Sequence, residues 1–167
     1  MIPQGLEADK IICNIIQNEL GLSDGRIVVK DQNFEPPKDS GLYVIVSFRN
    51  SKVASSTNEY NPVDDTEIKR TVMYHSIDID ITSKNRDAIT RKEEVVMSLT
   101  SYYAENLMSQ EQCKIFRHSP LLDLSFVENS RALNRYRINV IVCQVKEKII
   151  PIPVFDKFTD ITQLIEQ

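Results

Sequence analysis

The sequence is poor in glycine and has no tryptophan. Of its 167 residues only 4 are glycine, which nearly excludes the glycine-rich loops that bind phosphate groups. No apolar run approaches the roughly 20 residues of a transmembrane helix, and the first ten residues, MIPQGLEADK, lack the basic start and apolar centre of a signal peptide. We therefore expect a protein that is made and assembled in the cytoplasm, with no membrane partner.

Cysteine and histidine are also scarce. The three cysteines, Cys13, Cys113 and Cys143, are far apart and form no CxxC pair. The histidines, His75 and His118, are not spaced to bind a metal ion together with a neighbouring cysteine or carboxylate. We expect free buried thiols, a packing role for His75, a turn at His118, and no metal ion or cofactor.

The chain has no excess of positive charge. Its formal net charge is -4 and its pI is about 5.3, whereas tight binding to a nucleic-acid backbone needs clustered Lys and Arg. An acidic surface suits a protein that lets DNA pass without holding it. Hydrophobic residues make up 41% and charged residues 26%, as in ordinary globular domains, and the length predicts a single domain over residues 1–167.

Hydrophobic periodicity predicts two main helices. Residues 6–20 place Ile12, Ile15 and Ile16 on one stripe, and Gly21 supplies a C-terminal stop. Residues 83–108 form the longest predicted helix, with Val95, Leu99 and Tyr102 on its buried stripe.

Alternating residues predict strands. In residues 71–82, Ile77, Ile79 and Ile81 share one face, while Asp78 and Asp80 lie on the other, which we expect to be solvated. The predicted strands cover residues 26–31, 42–48, 71–82, 113–118 and 133–145.

This order of elements indicates an α+β fold. We expect one mixed or antiparallel twisted sheet, with the long helix and the N-terminal helix packed on it. Residues 50–67 are polar and aperiodic, which predicts a long polar loop or a hairpin arm. Residues 149–167 are predicted to be an extended C-terminal tail, because Pro151 and Pro153 do not fit a central strand.

Asp78 and Asp80 are the best candidates for chemistry. Their side chains should lie about 6.5–7 Å apart on one strand face, a spacing that fits a divalent ion in a small hydrolase or nuclease. Alternate polar residues are equally what any solvated strand face shows. If residues 133–145 form a neighbouring strand, Arg135 and Arg137 would pair with these aspartates across the sheet.

Two segments resemble a known family. The stretches NEYNPVDDTEIKRTVMYHSIDIDITSKNRDAITRKEEVVMSL and IFRHSPLLDLSFVENSRALNRYRINVIVCQV are similar to phage neck and tail-terminator (tail-completion) proteins, over roughly residues 40–150. The resemblance implies a structural, non-enzymatic virion protein without a cofactor. It implies a ring, typically six-fold, that caps the head-proximal end of the tail tube and joins it to the neck.

The implied partners are further copies of the chain in a hexameric ring, the tail tube protein and the head-completion or neck proteins, with DNA only in passage. The implied location is the host cytoplasm during assembly and then the virion tail or neck. Besides the metal-dependent hydrolase, a non-viral adaptor module of the same fold is the remaining alternative. The predicted assembly residues, drawn from the polar arm, the locally basic strand and the tail, are Lys52, Tyr60, Asp64, Asp65, Arg131, Arg135, Arg137 and Phe155.

Overall fold

A computed structural model describes residues 7–30, 35, 37–128 and 131–152 of the chain. Within these residues it has three helices and seven strands. The predicted residue Phe155 and all but the first residues of the predicted 149–167 tail lie outside the described part. The elements are α1 (Ala8–Leu20), β1 (Ile27–Val29), β2 (Tyr43–Asn61), β3 (Thr66–Ser83), α2 (Asp87–Ser98), α3 (Tyr102–Gln110), β4 (Cys113–His118), β5 (Leu122–Asp123), β6 (Phe126–Glu128) and β7 (Arg131–Pro151).

The strands form one mixed sheet in the order β1-β2-β3-β7-β4, and β5 and β6 also pair with β7. The β1–β2 pair is parallel and the other strand pairs are antiparallel. This confirms the predicted α+β class. The prediction that residues 71–82 and 133–145 form neighbouring strands is confirmed too, because β3 pairs over its whole length with residues 134–151 of β7.

The three helices cover one face of the sheet. In α1, Ile11, Ile12, Ile15 and Ile16 are at most 1% exposed and pack on the isoleucines and valines of β2, β3 and β7. Gly21 ends the helix with φ of 59°, a left-handed conformation that glycine adopts without a steric penalty. The predicted stripe and stop of the first helix are therefore confirmed.

The prediction of a single long helix over residues 83–108 is wrong, because α2 ends at Ser98 and a separate helix, α3, begins at Tyr102. Ser101 is extended (φ -71°, ψ 160°), and its side-chain oxygen accepts a hydrogen bond from the Ala104 backbone N–H to cap α3. Ser and Thr side chains compete for backbone groups in this way and favour helix ends over helix interiors. Val95 and Leu99 are buried as predicted, but the restart at Tyr102 leaves that side chain 81% exposed.

The hairpin of β2 and β3 extends beyond the body, which here means the three helices and the part of the sheet that they cover. Its first half lies under the helices, with Val44 and Val46 fully buried beside Ile79 and Ile81. Beyond irregularities in register near Phe48 and Val53, the same two strands run on past the helices. Together with the end of β7 they form a three-stranded extension.

Candidate assembly interface

The extension, called the arm below, consists of residues 50–61 of β2, 66–74 of β3 and 145–151 of β7. Every residue of β2 from 48 to 60 is exposed, so helices cover neither face of the arm there. Arg70 holds the three strands together, since its guanidinium donates to Glu59 Oε2 (2.9 Å) on β2 and to Glu147 Oε2 (2.6 Å) on β7. The arm is thus a paired sheet without a hydrophobic core of its own.

Both outer edges of the arm are open. Strand β1 pairs only with residues 44–46 of β2, and β4 pairs only with residues 140–144 of β7. Beyond those points, neither edge has a partner strand among the described residues. Unpaired strand edges expose rows of backbone donors and acceptors that can pair with another chain.

The turn between β2 and β3, residues 62–65, forms the tip of the arm. The Asn61 side chain accepts a hydrogen bond from the Val63 backbone N–H (3.0 Å) and donates one to Asp64 Oδ2 (3.0 Å). Tyr60 donates its hydroxyl to Asp65 Oδ1 (2.6 Å). These bonds fix the turn and leave Val63 86% exposed at its end.

A cluster of opposite charges lies on the sheet face away from the helices. Arg137 donates from Nε to Asp80 Oδ1 (2.7 Å) and from Nη2 to Asp80 Oδ2 (2.8 Å), and Arg135 Nη2 also donates to Oδ2 (2.9 Å). Burial by itself raises the pKa of Asp80, but the hydrogen bonds from Arg137 and Arg135 outweigh it and hold that pKa below its usual value. Asp80 is therefore a buried, ionised centre of the cluster.

Asp78 belongs to the same cluster. Its Oδ2 accepts from Arg49 Nε (2.6 Å) and lies 3.5 Å from Arg137 Nη1, and its Oδ1 accepts from Asn139 Nδ2 (2.8 Å). The predicted pairing of the aspartates with Arg135 and Arg137 is confirmed. The predicted solvated face is wrong: Asp78 is 6% and Asp80 3% exposed, because the arginine side chains lie over them.

This arrangement does not suit metal-assisted hydrolysis. Both Asp80 oxygens already accept two guanidinium hydrogen bonds, which leaves little capacity for a metal ion. His75 shares the face of Ile77 and Ile79, opposite the aspartates. Among the described residues there is no group of three or more His, Cys, Asp and Glu side chains that could hold a metal ion.

His75 lies where the arm joins the body. It is 8% exposed, its Nδ1 is 2.7 Å from Ser51 Oγ, and its ring centroid is 5.9 Å from that of Phe48. Its Nε2 is buried without a hydrogen-bond partner in the described part of the chain. Burial lowers the pKa of His75, Lys146 lowers it further and Asp9 partly offsets both, so the ring is neutral at pH 7.

All three cysteines are free. Burial raises the pKa of Cys13 to about 12 and that of Cys113 to about 11. Since the thiolate is the reactive form, the thiols of Cys13 and Cys113 are packing groups.

The predicted assembly residues that the structure describes fall in three places. Lys52, Tyr60, Asp64 and Asp65 lie on the arm or its tip, and all four are exposed. Arg135 and Arg137 lie in the charge cluster. Arg131 begins β7, where its backbone is paired with Glu128 of β6.

Sequence reasoning missed Arg49, which reaches Asp78. Alternation along β2 does place Arg49 on the face of Ser47, which is the register partner of Asp78. The local pattern does not show that β2 and β3 are neighbours in this register, and that pairing brings Arg49 to Asp78.

The comparisons with known proteins identify a family for the chain. The chain belongs to the phage neck terminator protein family, whose sequence model matches residues 10–167. The family consists of structural proteins of the virion neck, which confirms the resemblance stated from the sequence. No curated protein matches the chain.

No helix in the described ranges is both long and apolar enough to cross a membrane.

Proposed function

We propose that this chain caps the head-proximal end of a phage tail tube as a homo-oligomeric ring, a hexamer, and joins the tube to the neck. Family membership over residues 10–167 is the observation that carries this proposal. The proposed partners are other copies of the chain, the tail tube protein and a head-completion or neck protein, with DNA passing through. Assembly takes place in the host cytoplasm, and the mature location is the tail or neck.

The arm supports self-assembly. A closed ring needs heterologous contacts, in which two different patches of one subunit meet on the next. The arm offers two different open edges, residues 50–61 of β2 and 146–151 of β7, and a tip that projects away from the body. Lys52, Tyr60, Asp64 and Asp65 are the residues that we propose for these contacts.

The proposed function is structural rather than enzymatic. Asp78 and Asp80 hold the sheet face together through three arginines, and we assign them no catalytic part. Wild-type protein should stay at background in phosphodiester and ester hydrolysis with Mg²⁺ or Mn²⁺. A metal-dependent turnover that disappears in the Asp78→Ala, Asp80→Ala variant contradicts the structural assignment.

The ring is tested by light scattering after size exclusion and by negative-stain microscopy, with the chain alone and mixed with tail tubes. A six-copy ring of 19.2 kDa subunits has a mass of about 115 kDa. We expect rings alone at high concentration or on tube ends. If nothing larger than a dimer forms under either condition, the proposal is wrong.

A variant with a shortened arm provides the control. Ser55 and Val72 are register partners, so an Asn-Gly turn can replace residues 56–71 and close a shorter hairpin. We expect this variant to keep the body folded, as judged by its thermal unfolding, and to lose ring formation. Rings of unchanged stability would show that the arm is not an assembly element.

A further inference from the structure

The sheet face that carries the charge cluster also has an open groove where the arm meets the body. Two adjoining depressions of about 340 and 300 Å³ share Arg117 and Ile141. Lys52 of β2, Tyr74 of β3 and Phe116 of β4 line the larger one. The groove therefore crosses four strands, from the base of the arm to β4.

The groove combines an apolar surface with positive charge. The rings of Tyr74 and Phe116 are 5.4 Å apart, and Phe116 is 62% exposed. Lys52 and Arg117 are exposed, and in the described part of the chain neither forms an ion pair or a side-chain hydrogen bond. No carboxylate lines the groove among these residues. Such a surface fits a short segment with an apolar side chain next to acidic groups.

The tip of the arm has this chemistry. Val63 is 86% exposed, more than any other large hydrophobic side chain of the described residues, and Asp64 and Asp65 follow it directly. The hydrogen bonds from Tyr60 and Asn61 hold the turn in place before any partner arrives, so less conformational entropy is lost on binding.

The tip cannot reach the groove of its own copy. Lys52 and the tip are joined by the extended part of β2, which spans about 30 Å at about 3.3 Å per residue. Pairing with β3 keeps that strand extended up to Asn61. The occupant of the groove must come from another molecule.

We propose that the arm tip of one copy docks in the groove of a second copy. Val63 packs on Tyr74, Phe116 and Ile141. Asp64 and Asp65 lie beside Lys52 and Arg117. The inference rests on the proposed function, because a head-to-tail contact between two different patches is what closes a ring.

Cross-linking tests the contact directly. A photoreactive benzoylphenylalanine replaces Val63, and the ¹⁵N-labelled variant is mixed with unlabelled wild-type protein, with and without tail tubes. We expect cross-links between labelled and unlabelled chains that map to residues 114–117 or 141. Cross-links that map only elsewhere, or none under either condition, overturn the proposal.

Two single variants test the energetics. Val63→Asp and Arg117→Glu change exposed side chains, so their unfolding curves should match the wild type. Each should weaken self-association by about tenfold or more, because Val63→Asp places a charge in an apolar contact and Arg117→Glu reverses a charge at a polar one. Met97→Asp, at an exposed apolar site on α2 (69% exposed), and Lys38→Glu, far along the sequence from the groove, are the matched controls and should assemble like wild type.

Mixing the two variants gives the sharpest result. A Val63→Asp copy keeps its groove and an Arg117→Glu copy keeps its tip, so an equimolar mixture has one productive contact and should give dimers but no rings. Assembly of both single variants at wild-type strength overturns the docking inference and leaves the ring proposal standing. Absence of both assembly and cross-links in the wild type overturns the two together.

The groove could instead serve a nucleic acid. Fluorescence anisotropy with a short duplex DNA tests this. If Arg117→Glu abolishes DNA binding and leaves self-association unchanged, and no cross-link from residue 63 maps to the groove, the groove is a DNA site and the docking inference is wrong.

Discussion

The body and the arm are built from the same strands but are stabilised in different ways. In the body, β2, β3 and β7 bury Val44, Ile79 and Ile138 under helices at no more than 1% exposure. In the arm the same strands rely on backbone pairing and on exposed pairs such as those of Arg70. Hydrophobic burial is the dominant favourable contribution to folding. A paired sheet without it is marginal, so we expect the arm to be the less stable of the two regions.

The largest expected difference comes from removing an isoleucine in each region. Ile79→Ala in the body should lower the free energy of unfolding by about 3–4 kcal/mol, since it leaves a cavity in a close-packed core. Ile149→Ala in the arm, at a residue 43% exposed, should cost less than about 1 kcal/mol. Urea unfolding of both variants measures the two changes in the free energy of unfolding.

Equal costs for the two variants would break the comparison. They would mean that the arm is buried in the free protein, against a second copy or against part of its own chain. Repeating the measurement across a range of protein concentrations separates these two explanations.

The second comparison is between carboxylate–arginine pairs that join neighbouring strands, one in the body and one in the arm. Asp80→Asn should lower the free energy of unfolding by about 2–3 kcal/mol, because it removes one partner of a buried ion pair. We expect the low end of the usual range because Arg135 and Arg137 are partly exposed. Glu147→Gln, which removes one partner of Arg70 in the arm, should cost less than about 1 kcal/mol, because that pair is exposed. Added salt should reduce the second effect more than the first.

The pH dependence of Asp80 gives a check on the same pair. Since its pKa in the folded protein lies below the ordinary value of 3.8, its contribution to stability is present above that value and is lost as the pH falls through the folded pKa. Asp80→Asn should lose this acid dependence. If unfolding of the wild type and of the variant follows the same pH curve below pH 4, the pair does not stabilise the folded protein.

The smallest expected effect concerns His75, at the junction of the two regions. Its pKa is lowered from 6.5 in the folded protein, so the unfolded chain binds more protons as the pH falls below that value. Stability is complete above pH 6.5 and declines as the pH falls toward the folded pKa, by at most about 1.4 kcal/mol per pH unit. Urea unfolding at pH 7.5 and 5.5 measures the decline, and His75→Gln should flatten it. A His75→Gln variant with the wild-type slope excludes His75 as its source.

Much of the body could be predicted from the sequence because its signals are local. The stripe of Ile12, Ile15 and Ile16 requires a helix with one buried face, and the alternation of Ile77, Ile79 and Ile81 requires a strand. The arginine–aspartate pairing also followed, once residues 71–82 and 133–145 were taken as neighbours. The break at Ser101 had a local signal as well, the Ser and Thr residues around Leu99, but the apolar periodicity that continues through it favoured one long helix.

The sequence by itself determined the fold class, which residues share a face of the main strands, and the family. It also contained no catalytic motif. Only the tertiary structure decided that Asp78 and Asp80 are buried, that Arg49 joins them, and that Tyr74, Phe116 and Arg117 form one groove. The physical reason is that alternation reports which side of a strand a residue occupies. It does not report which strands lie alongside, where a bulge shifts the register, or how far two strands continue beyond their neighbours. Those outcomes depend on contacts between residues far apart in the chain.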